Sequence, residues 1–298
     1  MKKLTRRDFV KRSAVVGAAI GSVVQGHAAP TAFLPAATDR VELGKTGITA
    51  SRIAMGTGFQ GWNRSSSQVR LGKEGFIHLV RHGLDQGLNF YDMADLYGSH
   101  NFMGAALKEI PRDKVVLLSK VWFAEGGGME ATDRAIPSVD RFRKELGTEM
   151  IDICLIHCVT DSKWPSQLAR MRDELDELKQ KGVIRATGVS CHDFGALKVA
   201  AQDPWVDVIF ARINNQAKVM DHKDPNEIAA ILKQARANGK AVVGMKIFGA
   251  GQLVEQHQRD ASLRWVWGNK LIDAMTIGFE KEAQVQDTVD HLSRVLKG

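Results

Sequence analysis

The sequence predicts an α/β chain folded as a closed (β/α)8 barrel, a TIM barrel, with an N-terminal β-hairpin. Apolar runs alternate with amphipathic stretches eight times after Arg40, which suits a parallel sheet with crossover helices. A Gly-containing hairpin segment precedes the first of them. The third observation weakens the open alternative. Gly56-Thr57-Gly58-Phe59-Gln60-Gly61 follows the first strand, but Trp62, Asn63 and a serine run come next, not the helix a dinucleotide turn would open.

Taken in order, residues 1–28 read as an export leader. Thr5-Arg6-Arg7-Asp8-Phe9-Val10-Lys11 resembles a twin-arginine (Tat) signal peptide, a mildly apolar run spans Ser13 to Val24, and Gly26-His27-Ala28-Ala29-Pro30 offers small residues for cleavage near Ala28. The run is too short and weak for a membrane span, so the mature chain is expected to have none. Partners and address follow: the twin-arginine export machinery and a periplasmic or otherwise exported location. Residues 29–39 read as an unstructured linker, and residues 40–298 as the barrel domain.

Val41 to Ile48 forms the expected hairpin around Gly44. Strands are expected over Arg52–Met55, Asn89–Asp92, Val115–Lys120, Ile151–His157, Ile184–Ser190, Val208–Arg212, Ala241–Met245 and Ala274–Ile277, with a helix after each. The clearest helix spans Ser166 to Lys181, where Leu168, Met171, Leu175 and Leu178 fall on one stripe.

Charge and cysteine usage exclude several classes. Lys2, Lys3, Arg6, Arg7, Lys11 and Arg12 against Asp8 place +5 of the formal +7 before residue 13, leaving +2 for the rest. The basic balance therefore belongs to the leader, and nucleic acid is not an expected partner. Cys154, Cys158 and Cys191 lack metal spacing, and no clustered His/Asp set suggests a metal-dependent hydrolase, so no metal is expected. Cys158 and Cys191 follow the ends of neighbouring strands, where a disulfide is conceivable in an oxidising compartment; free thiols are the expectation.

The barrel places active sites at the C-terminal ends of its strands. Asp92, Lys120 and His157 occupy those ends on the second, third and fourth strands, and Tyr97 lies in the loop after the second. A tyrosine donates a proton readily at neutral pH only if its pKa of about 10 is lowered. A nearby ammonium does that, and a carboxylate holds the ammonium in place. A histidine then orients a carbonyl. The four together suit hydride transfer to a carbonyl carbon.

On these segments the chain resembles the aldo-keto reductase family from Arg40 to its end: Leu43-Gly44-Lys45-Thr46-Gly47, Met55-Gly56-Thr57-Gly58, Asn89-Phe90-Tyr91-Asp92 with Tyr97-Gly98, Ser119-Lys120, Leu155-Ile156-His157, Gly182-Val183-Ile184-Arg185 and Gly188-Val189-Ser190. The resemblance implies an oxidoreductase holding a nicotinamide cofactor in an extended pose. It implies Tyr97 as general acid/base, Lys120 lowering its pKa, Asp92 pairing with Lys120, and His157 positioning the carbonyl oxygen. It also implies cofactor contacts at Gly56, Thr57, Gly58 and Asp92, at Ser190 and Cys191, at Lys246, Phe248, Gly249 and Gly251 as a pyrophosphate loop, and at Glu280 and Gln284. Cys191 replaces an asparagine common in relatives, and Phe210 stands where many carry a glutamine beneath the nicotinamide ring, with Arg212 and Asn214 beyond. After the eighth strand, Glu280 and Glu282 flank a single Lys281, which implies NADP(H) ahead of NAD(H) by a modest margin only.

Trp62, Trp122 and Phe123 are expected to wall an apolar substrate pocket, with Trp164 a further candidate. The substrate is then an aldehyde, ketone, sugar or the corresponding alcohol. Export separates the enzyme from the cytoplasmic nicotinamide pool, so a tightly held cofactor is expected. An exported nucleotide-binding sensor or interaction protein on the same barrel, with negligible turnover, is the alternative.

Overall fold

A computed structural model describes residues 36–297. The leader and the linker up to residue 35 lie outside the described residues. The hairpin strands β1 (Arg40–Glu42) and β2 (Thr49–Ser51) pair antiparallel, Arg40 opposite Ser51. Eight parallel strands follow: β3 (Ile53–Gly56), β4 (Phe90–Asp92), β5 (Val116–Val121), β6 (Ile151–Val159), β7 (Ile184–Cys191), β8 (Val208–Arg212), β9 (Ala241–Met245) and β10 (Ala274–Gly278). They close into a barrel in sequence order, with β10 returning to β3.

Period-2 alternation along each strand builds two apolar layers. Ala54, Phe90, Leu118, Ile153, Leu155, Val208, Phe210 and Val243 point inward and fill the barrel; the hairpin's Leu43, Ile48 and Ala50 join them and plug its N-terminal end. Alternate residues, such as Met55, Leu117, Cys154, Val189 and Ile209, point outward against the helices. Gly44 is required in the plug: a β-carbon there would lie 2.4 Å from the Ala241 nitrogen, and its φ of +53° favours glycine.

The helices obey local rules. Asp193 caps Phe194–Gln202 by accepting from the Ala196 N–H at 2.8 Å, Pro225 opens Pro225–Ala237 behind the Asp224 cap, and Gly147 ends Ile136–Leu146 in the left-handed conformation. The expected helix Ser166–Lys181 is two helices, Trp164–Gln167 and Ala169–Gln180, because Leu168 leaves helical geometry at φ −113°, ψ 25°. Its apolar stripe is buried as expected. The packed chain also begins earlier than Arg40. Ala37 is fully buried, and its N–H donates to Ser293 Oγ at 3.2 Å.

No helix among the described residues is long and apolar enough to cross a membrane. The three cysteines are free. Cys191 faces the outer helix layer, because Ser190 takes the inward position beside it.

Candidate active site

Tyr97 ends a short 3-10 turn, Asp95–Tyr97, directly after β4. Asp95 anchors that turn: its carboxylate is 3% exposed and accepts from Arg141 at 2.7 Å and Arg64 at 3.1 Å. The ring packs against the loop after β3, where β-carbons at Gly58 and Gly61 would lie 2.3 Å and 2.7 Å from it.

Lys120 and Asp92 form a buried ion pair at the ends of β5 and β4. The ammonium also donates to the Met93 carbonyl at 3.0 Å, and the second Asp92 oxygen accepts from Thr276 Oγ1 at 2.8 Å. Gly56 leaves room for Thr276, whose hydroxyl would be 2.8 Å from a β-carbon there. Burial pulls the Lys120 pKa down and the Asp92 carboxylate pushes it back.

Lys120 Nζ stands 5.0 Å from the centre of the Tyr97 ring. The expected lowering of the Tyr97 pKa does not occur in this state. Burial holds it well above 10, and the Asp92 and Cys158 charges add to that. The physical reason is that Asp92 neutralises the ammonium, so burial decides. Tyr97 is a protonated phenol.

His157 sits on β6, where the register with β7 shifts between Ile156 and Val159. Cys158 takes a φ of +64° at this bulge, and its N–H donates to Ser190 Oγ at 2.8 Å. The bulge aims His157 Nε2 to 3.4 Å from the Tyr97 hydroxyl. Burial, then Lys120 and His192, depress the His157 pKa far below 6.5, so the ring is neutral. Its Nδ1 is buried without a partner.

A cleft of about 450 Å³ runs from Tyr97 and Asp92 along the ends of β9 and β10. Of the expected cofactor contacts, Gly56, Gly58, Asp92, Lys246, Phe248, Gly251, Glu280 and Gln284 line it. Gly249 is buried in the turn beside it. Three others are used elsewhere. Thr57 is 1% exposed and staples β3 to β4 through Asp92 O at 2.9 Å and Ser99 Oγ at 2.8 Å. Ser190 holds the bulge, and Cys191 faces away. Phe210 lies wholly inside the barrel, 5.1 Å from Lys120 Nζ, and supports the ammonium from below.

Trp62, Trp122 and Phe123 gather on the other side of Tyr97. Trp122 meets His157 edge-on at 5.7 Å, Trp62 meets Trp122 at 5.8 Å, and Phe123 lies 6.1 Å from Trp122. Trp62 is 52% exposed, so this wall opens to solvent. Trp164 is not part of it. It is 1% exposed in the helix layer, with Arg172 over its ring at 5.3 Å.

One group at the site, Arg259, is not marked in the sequence, and another, Arg212, is named there only as lying beyond Phe210. Arg259, from the helix Gln256–Gly268, reaches the far end of the cleft, pairs with Asp287 at 2.9 Å and leaves its Nε buried and unpaired. Arg212 ends β8 hydrogen-bonded to His192 and paired with Asp221 at 3.0 Å. The inward alternation of Val208 and Phe210 could have placed Arg212 at the mouth. Nothing local marks Arg259. Among the described residues, no three His, Cys, Asp or Glu side chains are placed to hold a metal.

The donor set of the cleft fits an elongated anion ending near Tyr97. Lys246 makes no ion pair among the described residues, and the unpaired Arg259 Nε adds a donor at the far end. The model of the Aldo/keto reductase family matches residues 52–297, across this whole site. The chain belongs to the aldo/keto reductase family. It is 30% identical over 224 residues to an NADH-specific methylglyoxal reductase of Escherichia coli, covering 68% of this chain and 65% of that one. It is 33% identical over 159 residues to the aldo-keto reductase YhdN of Bacillus subtilis, covering 49% and 44%. The matches thus span less than two thirds of either relative. Among solved structures, an aldo-keto reductase from Bacillus halodurans in its holo form superposes with TM-score 0.68 at 18% identity, covering 87% of this chain and 95% of that one. A glycerol dehydrogenase from Gluconobacter oxydans superposes with TM-score 0.62 at 20% identity, covering 88% and 97%. These two likenesses concern the fold.

Proposed function

We propose that this aldo/keto reductase reduces a small aldehyde, ketone or sugar with a nicotinamide cofactor, Tyr97 acting as the general acid, and oxidises the alcohol in reverse. The observation that carries the reading is the convergence of the Tyr97 hydroxyl, His157 Nε2 at 3.4 Å and Lys120 Nζ at 5.0 Å from the Tyr97 ring, at one end of a cleft.

Gly56, Lys246, Phe248, Gly251, Glu280, Gln284 and Arg259 would hold a nicotinamide cofactor in the cleft, and the chemistry it would supply there is hydride. The remaining chemistry belongs to the chain. Neutral His157 donates from Nε2 to the carbonyl oxygen and fixes its position; the unpaired Nδ1 is free to be the unprotonated nitrogen of that tautomer. As negative charge grows on that oxygen, Tyr97 transfers its phenolic proton to it. The phenolate left behind sits beside the Lys120 ammonium and regains a proton from solvent.

The cofactor in this reading is NADP(H) ahead of NAD(H) by a modest margin. Arg259 supplies a cation near the far end, and Glu280 a carboxylate that favours a free 2′-hydroxyl. The E. coli relative, by its name, uses NADH and acts on methylglyoxal, a small dicarbonyl, which supports small carbonyl substrates. The leader supports twin-arginine export to the periplasm. With no reduced nicotinamide pool there, a tightly held cofactor would alternate between oxidising one substrate and reducing another.

The test follows nicotinamide absorbance in the near ultraviolet with a panel of aldehydes, ketones and sugars, after assaying the isolated protein for bound nucleotide. Turnover of at least one class is expected. No turnover with any carbonyl, despite bound nucleotide, would favour the sensor reading.

A further inference from the structure

Three cations, Lys120, Arg212 and Lys246, converge on the mouth of the barrel, each close enough to depress the His192 pKa. Inward-facing positions alternate up β8 through Val208 and Phe210 to Arg212, so the guanidinium stands one layer above the phenyl ring that supports Lys120. In the order of the closed barrel β8 lies four strands from β4, which puts Arg212 across the mouth from Asp92 and the Tyr97 turn. Lys246 follows the end of β9, the strand in register with β8 through Arg212 and Met245, and lines the same cleft as Tyr97.

Arg212 is held as a recognition group is held. Asp221, from the loop after β8, pairs with Nη1 at 3.0 Å, and His192, just past β7, accepts from Nη2. Two fixed partners remove the rotamer freedom an arginine otherwise loses on binding. The Nε is buried and makes no hydrogen bond, and the Arg212 side chain as a whole is 21% exposed. His192 is neutral, its pKa depressed to about 3 by burial and by Arg212, Lys246 and Lys120, so it adds no charge. Asp92 pairs with Lys120 and Asp221 with Arg212, while Lys246 makes no ion pair among the described residues. Asp193, which opens the helix after β7, also faces Asp221, so the mouth has no net surplus; what it offers an anion is an immobilised guanidinium beside an ammonium without an ion pair, in a low-dielectric setting.

We propose that Arg212, positioned by His192 and Asp221 and assisted by Lys246, binds a carboxylate on the substrate, so that this reductase selects oxo acids over neutral carbonyls. This rests on the reductase reading above for its chemistry, though the anion site itself does not. The other anion a cation here could meet is a phosphate of the cofactor, and the two sources give different results below.

The test compares glyoxylate, succinic semialdehyde and 4-carboxybenzaldehyde, each with its methyl ester, so that size and carbonyl stay matched while charge is removed. Affinity is read from tryptophan fluorescence, since Trp122 stands beside His157 and Trp62 against Trp122, and kcat/KM from nicotinamide oxidation. In the wild-type protein at least one acid is expected to exceed its ester about tenfold in both readouts, the size of one charge-assisted contact of about 1.4 kcal/mol. In R212Q that ratio collapses to within about twofold, and R212K, which keeps the charge, recovers part of it. Equal handling of acids and esters by the wild type, or a preference that survives R212Q, overturns the proposal. So does an R212Q that weakens nucleotide binding and handles acid and ester with the wild-type ratio, because Arg212 then serves the cofactor. If no probe turns over while acid-selective binding is present and lost in R212Q, the reductase reading fails and the anion site stands.

Discussion

Gly58 and Tyr97 touch so closely that a β-carbon on Gly58 would lie 2.3 Å from the tyrosine ring. Gly58, in the loop after β3, is therefore a slot for the Tyr97 ring, the proposed general acid, in addition to being part of the cleft wall. G58A must push the ring out of line with His157. A displacement of about 1 Å is enough to cost about a hundredfold in rate. The expected result is a fall in kcat of about that size, with nucleotide affinity changed much less; wild-type kcat in G58A would show that the ring is not held by this contact.

The Lys120–Asp92 pair is buried, and breaking one side strands a charge. K120M and D92N are each expected to lower stability by about 3–5 kcal/mol, because each leaves a buried charge with one neutral partner, Thr276 Oγ1 for Asp92 and the Met93 carbonyl for Lys120. Denaturant titration of the two variants measures both losses. Equal, small losses would mean that the pair is solvated in solution.

The His157 pKa is held far below 6.5, first by burial. Its unfolded form takes up a proton below about 6.5 while the native form does not, so stability from this group is full above that pH and lost as pH falls below it. Catalysis should accordingly show no loss near pH 6.5 from His157. A pH profile of kcat/KM in wild type and H157N tests this. An inflection near 6.5 that disappears in H157N would contradict a neutral, buried ring.

Asp221 behaves in the opposite sense. Burial, partly offset by Arg212, raises its pKa to about 6 against 3.8. The native state keeps that proton while the unfolded state releases it, so stability falls as pH rises from about 4 to 6 and is level above. D221N imitates the protonated form. Its melting temperature relative to wild type should therefore be more favourable at pH 7 than at pH 4; the reverse trend would place the Asp221 pKa at or below its ordinary value.

Much of this site was legible in the sequence because strand ends are readable from apolar runs, and barrel geometry brings neighbouring strand ends together. Asp92, Lys120 and His157 meet for that reason, and Tyr97 follows β4 closely enough to join them. The same alternation holds the information that Cys191 faces outward once Ser190 faces inward. Other features depend on contacts that no local pattern encodes. The Tyr97 slot at Gly58, the Thr57 staple and the bulge at Cys158 are tertiary, and Arg259 reaches the cleft from a helix on the outer layer. Trp164 was misplaced because an aromatic in a strand-to-helix loop reads alike whether it faces the mouth or the helix layer. The Lys120 charge near Tyr97 is readable in the sequence, but the burial that raises the tyrosine pKa is a property of the folded chain.

The account turns on Tyr97 as the proton donor, and single-turnover kinetics of Y97F with bound reduced nicotinamide measures that most directly. Loss of general acid catalysis predicts a hydride-transfer rate lower by about a hundred- to ten-thousandfold, with the nucleotide dissociation constant within about twofold of wild type. A Y97F protein that reduces the same carbonyl at the wild-type rate would contradict the account.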